Sequence, residues 1–252
     1  MLGLINIKKN SSTIYIEGKH PSFKDFIRIG TETKLSEAFS QWIRDGYALV
    51  ADKTDSKYDG PRFWRFWSVG TKTDQLAWGV IRDSSDSIGR PYPLLILACN
   101  KMINWREKWE SLPLILNGNW TIMEQIAVMR FETTAQLAQR INYLEDKRPT
   151  IHRGDLPIRF ARFKYYRSAL SMLESRYKDQ ISLEDLILRF RLYDNIPGVS
   201  YLEQAVAYCK NFKTREWVVP RLMFLGGSLL TTTLYLFFRP IKPSDFVMLW
   251  SI

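Results

Sequence analysis

Apolar positions in this chain change their spacing several times, and each change marks an element. Thr13 to Glu17 reads as a short strand that stops at Gly18, with a loop behind it through Pro21 and Ser22. From Leu35 to Ala51 the apolar residues Leu35, Phe39, Trp42, Ile43, Leu49 and Val50 fall at helical spacing. A polar break from Asp52 to Gly60 leads to three strand-like runs, Arg62 to Val69, Leu76 to Arg82 and Leu94 to Asn100. The short Gly-Thr-Lys-Thr-Asp link between the first two suits a hairpin. The last two flank a long loop rich in Ser and Asp, where turn chemistry is concentrated.

Helical spacing then dominates. Asn119 to Phe131 and Thr133 to Leu144 read as helices, the second with Thr133 and Gln136 at capping-box spacing. Lys147 to Pro157, with Pro149 and Gly154, reads as a linker. Beyond it Phe160, Phe163, Leu170, Leu173 and Tyr177 share one helical face. Ser182 with Asp185 is placed to cap a helix that uses Leu183, Leu186, Ile187 and Phe190 and stops at Asn195 to Gly198. Ser200 with Glu203 is placed to cap another, burying Leu202, Ala205, Val206 and Cys209. Strands return at Val218 to Leu225 and Leu229 to Phe238, followed by a polar turn from Pro240 to Ser244 and a short apolar end.

Short links between adjacent strands favour antiparallel pairing. Strands grouped on either side of a helical block predict a layered α+β fold, with a mostly antiparallel central sheet flanked by helices and a helical middle region. The expected organisation is one domain over residues 1–252, with a core at 13–100, a helical region at 101–215 and closing strands at 216–252.

Composition narrows the function classes. Hydrophobic residues make up 46% and charged residues 25% of 252, enough apolar material for a real core. The net charge of +10 suits nucleic acid, an anionic membrane surface or an acidic protein. The excess is not gathered into one long run. Its densest stretch is His152-Arg153 with Arg159, Arg162, Lys164 and Arg167, interleaved with Phe163, Tyr165 and Tyr166. The stretch reads as the charged face of a helix over an aromatic stripe, with RNA or an acidic partner as the alternatives. Cys99 and Cys209 sit in apolar surroundings and read as buried free thiols of a reducing compartment, with a disulfide between them left open. Two Cys with His20 and His152 do not suggest a zinc site. Leu222 to Phe238 is uncharged but short for a membrane span, and Gly226-Gly227-Ser228 and Thr231 to Thr233 favour two strands around a turn. The opening residues lack a signal-peptide pattern, so the expected location is the cytoplasm.

Two loops hold the candidate chemistry. Gly18 to Phe26 lacks the Gly-Lys-Ser/Thr end of a phosphate loop. It reads as a strand-to-helix connector in which Asp25 caps and Phe23 or Phe26 packs. The second loop carries Asp83, Ser84, Asp86 and Arg90. A serine without a nearby base is a poor nucleophile, and Asp83 with Asp86 lacks the spacing of a calcium loop. The loop reads as self-capping, with Arg90 paired to a carboxylate, or as a recognition surface. No GxSxG, HExxH, GxGxxG or kinase-like set occurs, so neither an enzyme nor a cofactor is expected.

The same loops carry a resemblance. Gly18-Lys19, Pro21-Ser22 and Asp25-Phe26 look like the opening G-K-x-P-S-x-x-D-F of the TagF or ImpM family of type VI secretion-associated proteins. Trp64-Arg65-Phe66 is similar to that family's W-R-F strand. Trp78-Gly79-Val80, Ser84, Asp86, Gly89-Arg90 and Pro93-Leu94 resemble its W-x-G-V…P-S-x-D-x-x-G-R-x-F-P-L block. The departures are Lys24 for a usual Gly, Asp83 for a usual Pro, and Pro91-Tyr92 for the usual aromatic pair. The resemblance implies a cytoplasmic, non-enzymatic accessory regulator that represses assembly after translation. Its implied partner is a forkhead-associated scaffold protein of the same system. Candidate partner-binding residues are then Ser84, Asp86, Gly89 and Arg90, with Asp25, and no metal or catalytic residue is implied. A general interaction scaffold and a basic nucleic-acid-binding protein are the competing classes.

Overall fold

Strands that are apolar on both sides need cover on both faces of the sheet, and the chain supplies it. The computed structural model describes residues 12–51, 60–146, 149, 187–193, 199–215 and 218–251. Its first elements are strands β1 (Thr13–Gly18) and β2 (Ile27–Gly30) and helix α1 (Lys34–Ala51). Strands β3 (Phe63–Val69), β4 (Gln75–Arg82) and β5 (Leu94–Lys101) follow. A 3-10 turn (Trp105–Ser111) runs into α2 (Leu112–Val128), then α3 (Thr134–Asp146). The remainder is β6 (Ile187–Leu192), α4 (Tyr201–Arg215), β7 (Leu222–Gly227), β8 (Thr232–Phe237) and α5 (Pro243–Trp250). The eight strands form one sheet in the order β2-β1-β5-β4-β3-β7-β8-β6, and every neighbouring pair is antiparallel. The expected α+β class and central antiparallel sheet are what the structure shows.

Alternate residues of the central strands serve two cores. Ile14, Trp67, Trp78, Ile96 and Met223 face the 3-10 turn, α2, α3 and α4. Tyr15, Trp64, Phe66, Leu97 and Phe224 face α1 and α5. Removing such a side chain from water is worth about 1.5–3 kcal/mol, so the large rings dominate the driving force. Arg65 stands on the α2 side of β3. Its guanidinium grips both carboxylate oxygens of Glu124, with Nη2 to Oε2 at 2.9 Å, and Nη1 donates to Asn117 Oδ1 at 3.0 Å.

Several local expectations hold. The β3–β4 hairpin pairs Val69 with Leu76, and Gly70 N–H donates to the Gln75 carbonyl at 2.9 Å. Ser200 and Glu203 cap α4 reciprocally. Leu222 to Phe238 forms β7 and β8, and no described helix is long and apolar enough to cross a membrane.

Other expectations are corrected. Asp25 caps no helix. The unforeseen strand β2 lies between it and α1, whose cap is a reciprocal pair: Ser36 N–H donates to Thr33 Oγ1 and Thr33 N–H to Ser36 Oγ. Helix α2 begins at Leu112, not Asn119, because Pro113 fits a first turn. Ile187 to Phe190 belongs to strand β6, in which buried Leu188 and Leu192 alternate with exposed Arg189 and Arg191. The region 101–215 is therefore not wholly helical. The apolar end is helix α5, so strands do not close the chain. Cys99 is half-buried and Cys209 buried, and both thiols are free. The expected linker at 147–157 is described only at Pro149. The helical face from Phe160 to Tyr177, the Ser182–Asp185 cap, and the basic run from His152 to Arg167 lie outside the described residues.

Helices α1 and α5 cross where Gly46 meets Phe246. A Cβ on Gly46 would stand 2.2 Å from the Phe246 Cβ. Trp42 Nε1 donates to the Lys242 carbonyl beside this contact, at 2.8 Å. Gly46→Val is expected to lower Tm by about 5 °C or more, through overpacking. Gly118→Ala, in α2 with nothing within 4 Å of the added carbon, should raise Tm by roughly 2–4 °C through helix propensity. Thermal melts of the two variants check both signs.

Candidate functional site

The sheet's register brings the two motif-bearing loops together. Leu94 pairs with Gly18 on one side and with Arg82 on the other. The segments 19–26 and 83–93 therefore leave the same end of the sheet side by side.

Asp86 joins them. Its side chain has no solvent-exposed surface. Oδ1 accepts the backbone N–H groups of Ile88 and Arg90, at 3.2 and 2.9 Å. Oδ2 accepts Arg90 Nε at 2.6 Å and faces Lys19 Nζ at 3.1 Å. Burial opposes ionisation of this carboxyl. The hydrogen bonds from the Arg90 backbone and guanidinium, from Lys19 and from the Ile88 N–H outweigh it and hold the pKa down at about 2. Arg90 also reaches across to the first loop, where Nη2 donates to the Lys24 carbonyl at 2.6 Å and lies 3.9 Å from Asp25 Oδ1. Ser87 N–H donates to the Phe23 carbonyl at 2.9 Å.

The remaining loop residues shape the turn. Ser84 is half-buried and its carbonyl accepts the Tyr92 N–H at 3.0 Å. Gly89 has φ of +84°, a left-handed conformation that favours glycine, and its N–H donates to the Asp86 carbonyl. Asp83 works separately from Asp86. It accepts the Arg62 N–H at 2.7 Å and the Trp250 indole N–H at 2.6 Å, which pins the end of α5 to the start of β3. The two carboxylates thus serve different partners, and no group of three or more metal-binding side chains occurs among the described residues.

The first loop has its own anchor, which the sequence reading missed. His20 is fully buried. Its Nε2 lies 3.0 Å from the Ile126 carbonyl, and Nδ1 accepts the Ser22 N–H at 3.2 Å. A carbonyl only accepts and an amide N–H only donates, so these partners fix the neutral tautomer with its proton on Nε2. Burial lowers the pKa of this ring. Ser22 Oγ accepts the Phe131 N–H at 2.9 Å, tying the loop to the α2–α3 joint. The signal for these contacts was the Lys-His-Pro-Ser run beside Gly18, but its partners lie about a hundred residues away in sequence.

Of the predicted site residues, Asp86 has a structural position and cannot itself touch a partner. Exposure falls instead on Asp25, with 90% of its side chain free, and on Arg90 at 53%. Two apolar residues join this rim, Ile88 at 58% and Phe26 at 43%. A cavity of about 370 Å³ lies at the opposite end of the sheet, beside Thr13, Lys34 and Cys99. Burial pushes the Cys99 thiol pKa up, which disfavours its thiolate.

Residues 16–146, more than half of the chain, match the model of the TagF N-terminal domain, described as type VI secretion system-associated. Among solved structures, the crystal structure of PA0076 from Pseudomonas aeruginosa PAO1 superposes with a TM-score of 0.51. The superposition covers 95% of this chain and 94% of that one at 16% identity, which is a likeness of fold. No curated protein matches.

Because the folded Asp86 pKa lies below the ordinary value near 3.9, its stabilisation is present above about pH 4 and is lost as pH falls toward 2. Asp86→Asn should melt about 5 °C or more below the parent at pH 6, since it leaves Arg90 and Lys19 without their carboxylate. That gap should close between pH 4 and pH 2, as followed by thermal melts across the range.

Proposed function

We propose that this chain, which belongs to the TagF family of type VI secretion-associated proteins, is a cytoplasmic, non-enzymatic regulator of that secretion system. It represses assembly after translation by binding a component of the machine, such as the system's forkhead-associated scaffold protein. The observation that carries this reading is the pair of loops locked together by Asp86, with Asp25, Phe26, Ile88 and Arg90 on their rim. A surface already ordered before binding loses little conformational freedom on docking. Capture of a component at such a surface removes it from assembly by mass action, so repression scales with the amount of this protein.

The rim also says which substitution is informative. Arg90→Glu would set a second carboxylate against buried Asp86 and damage the fold together with the surface. Ile88→Glu leaves the hub intact, because Ile88 bonds to Asp86 only through its backbone N–H. In the native host, overexpression of this chain should reduce secreted tube protein at an unchanged intracellular level, and deletion should raise it. Ile88→Glu, with an unaltered Tm, should fail to repress. Unchanged secretion in both strains would refute the repressor, and full repression by Ile88→Glu would show that this rim is not the surface used.

A further inference from the structure

At the end of the sheet away from the Asp86 loops, the strands carry small side chains on the α1 face. Thr13 pairs with Cys99, and Cys99 with Ala77 on the next strand. Residues two apart in a strand share a face, so these three lie on the side of Tyr15 and Leu97, which pack under α1. One step along the same face, the large Tyr15 and Leu97 are directly paired and fill the space. Thr13, Cys99 and Ala77 leave it open below the first turn of α1. The cavity of about 370 Å³ lies there, with Lys34, Thr71, Gln75 and Lys101 completing its wall.

That wall presents donors without acceptors. Gln75 Oε1 accepts the Thr71 hydroxyl at 2.9 Å and the Lys72 N–H at 3.3 Å. A backbone N–H only donates, so it fixes which end of the amide is oxygen and leaves Nε2 as the remaining donor. Among the described residues, Gln75 Nε2, the Thr13 hydroxyl and Lys34 Nζ have no hydrogen-bond partner or ion pair. Lys101 is held by Asp74 at 2.7 Å. Glu32 and Glu37, near Lys34 in sequence, stand outside the wall, and no described carboxylate lines it. The complementary ligand therefore accepts hydrogen bonds and carries negative charge. Lysine acts as a point charge, which suits a tetrahedral phosphate better than the planar carboxylate that arginine grips with two bonds. A bare phosphate, a few times the roughly 30 Å³ share of a water, leaves most of the volume empty, so the ligand has an organic part.

We infer that this cavity binds a small organic phosphate, with Lys34, Gln75 and Thr13 donating to its oxygens. The site is independent of the docking function proposed above, because it lies at the other end of the sheet. Cys99 in its wall supplies the readout, since the chain's other cysteine, Cys209, is fully buried. The full chain is alkylated with N-ethylmaleimide at about pH 8.5, to offset the raised thiol pKa, and labelling of Cys99 is followed by mass. Adenosine monophosphate and glucose 6-phosphate are the probes, with adenosine, glucose and citrate as controls. At least one of the two phosphates should slow the labelling saturably, with half the effect at about 0.1–1 mM, as for a weak specific ligand. Lys34→Ala and Gln75→Glu should each raise that concentration by about tenfold, the loss typical of a charge-assisted hydrogen bond. Their Tm should stay nearly unchanged, because Lys34 is exposed and Gln75→Glu keeps the oxygen that closes the turn. No protection by either phosphate at about 10 mM, beyond the weak end of specific binding, would overturn the inference. So would equal protection by citrate or by the matching compound without phosphate, or an unchanged concentration dependence in Lys34→Ala.

Discussion

An antiparallel sheet covered by helices on both faces leaves neither face free, so among the described residues a partner can reach it at the sheet's ends, along the edge strands β2 and β6, or on its outer helices. The constraint comes directly from the strands. Trp64 and Phe66 point to one core and Trp67 to the other, so neither face of β3 is available. The family motifs at Gly18 to Phe26 and at Ser84 to Leu94, far apart in sequence, fall on the same end because β1, β5 and β4 are neighbours with Leu94 as the shared register point.

At that end an enclosed carboxylate replaces the packing that two loops lack. Burying Asp86 is costly unless its oxygens are filled, and four donors from both loops fill them. The arrangement is specific because it is demanding: Lys19, Arg90 and the turn through Gly89 must all be in place. A second anchor at His20 and Ser22 holds the first loop to the helices behind it. The surface between these anchors is consequently apolar and charged at its rim, with its interior polar groups already paired.

Much of this was legible in the sequence, and the failures have physical causes. Strands β3 to β5 announce themselves as uninterrupted apolar runs between turn residues, and the α4 cap is readable from Ser200 and Glu203 alone. Strand β6 was mistaken for helix because a six-residue run, Ile-Leu-Arg-Phe-Arg-Leu, fits either period once a cap seems available upstream. Helix α5 was missed because its eight residues follow a turn and carry too short a pattern. In the loops, the Asp86–Arg90 pair is local and was foreseen as self-capping. Lys19 on Asp86, Trp250 on Asp83 and Ile126 on His20 were not, since each depends on register set by distant strands.

The coupling of the two loops through Asp86 is best tested by amide hydrogen exchange on the full chain. If the carboxylate holds both, the Ser87, Ile88 and Arg90 amides exchange together and at least about 100-fold slower than an open chain, as for a cooperative unit. In Asp86→Asn, the Ser22 and Phe23 amides of the opposite loop should then accelerate along with them. Rapid exchange of Ile88 and Arg90 in the parent, or acceleration confined to residues 86–90 in the variant, would contradict a single prepared surface.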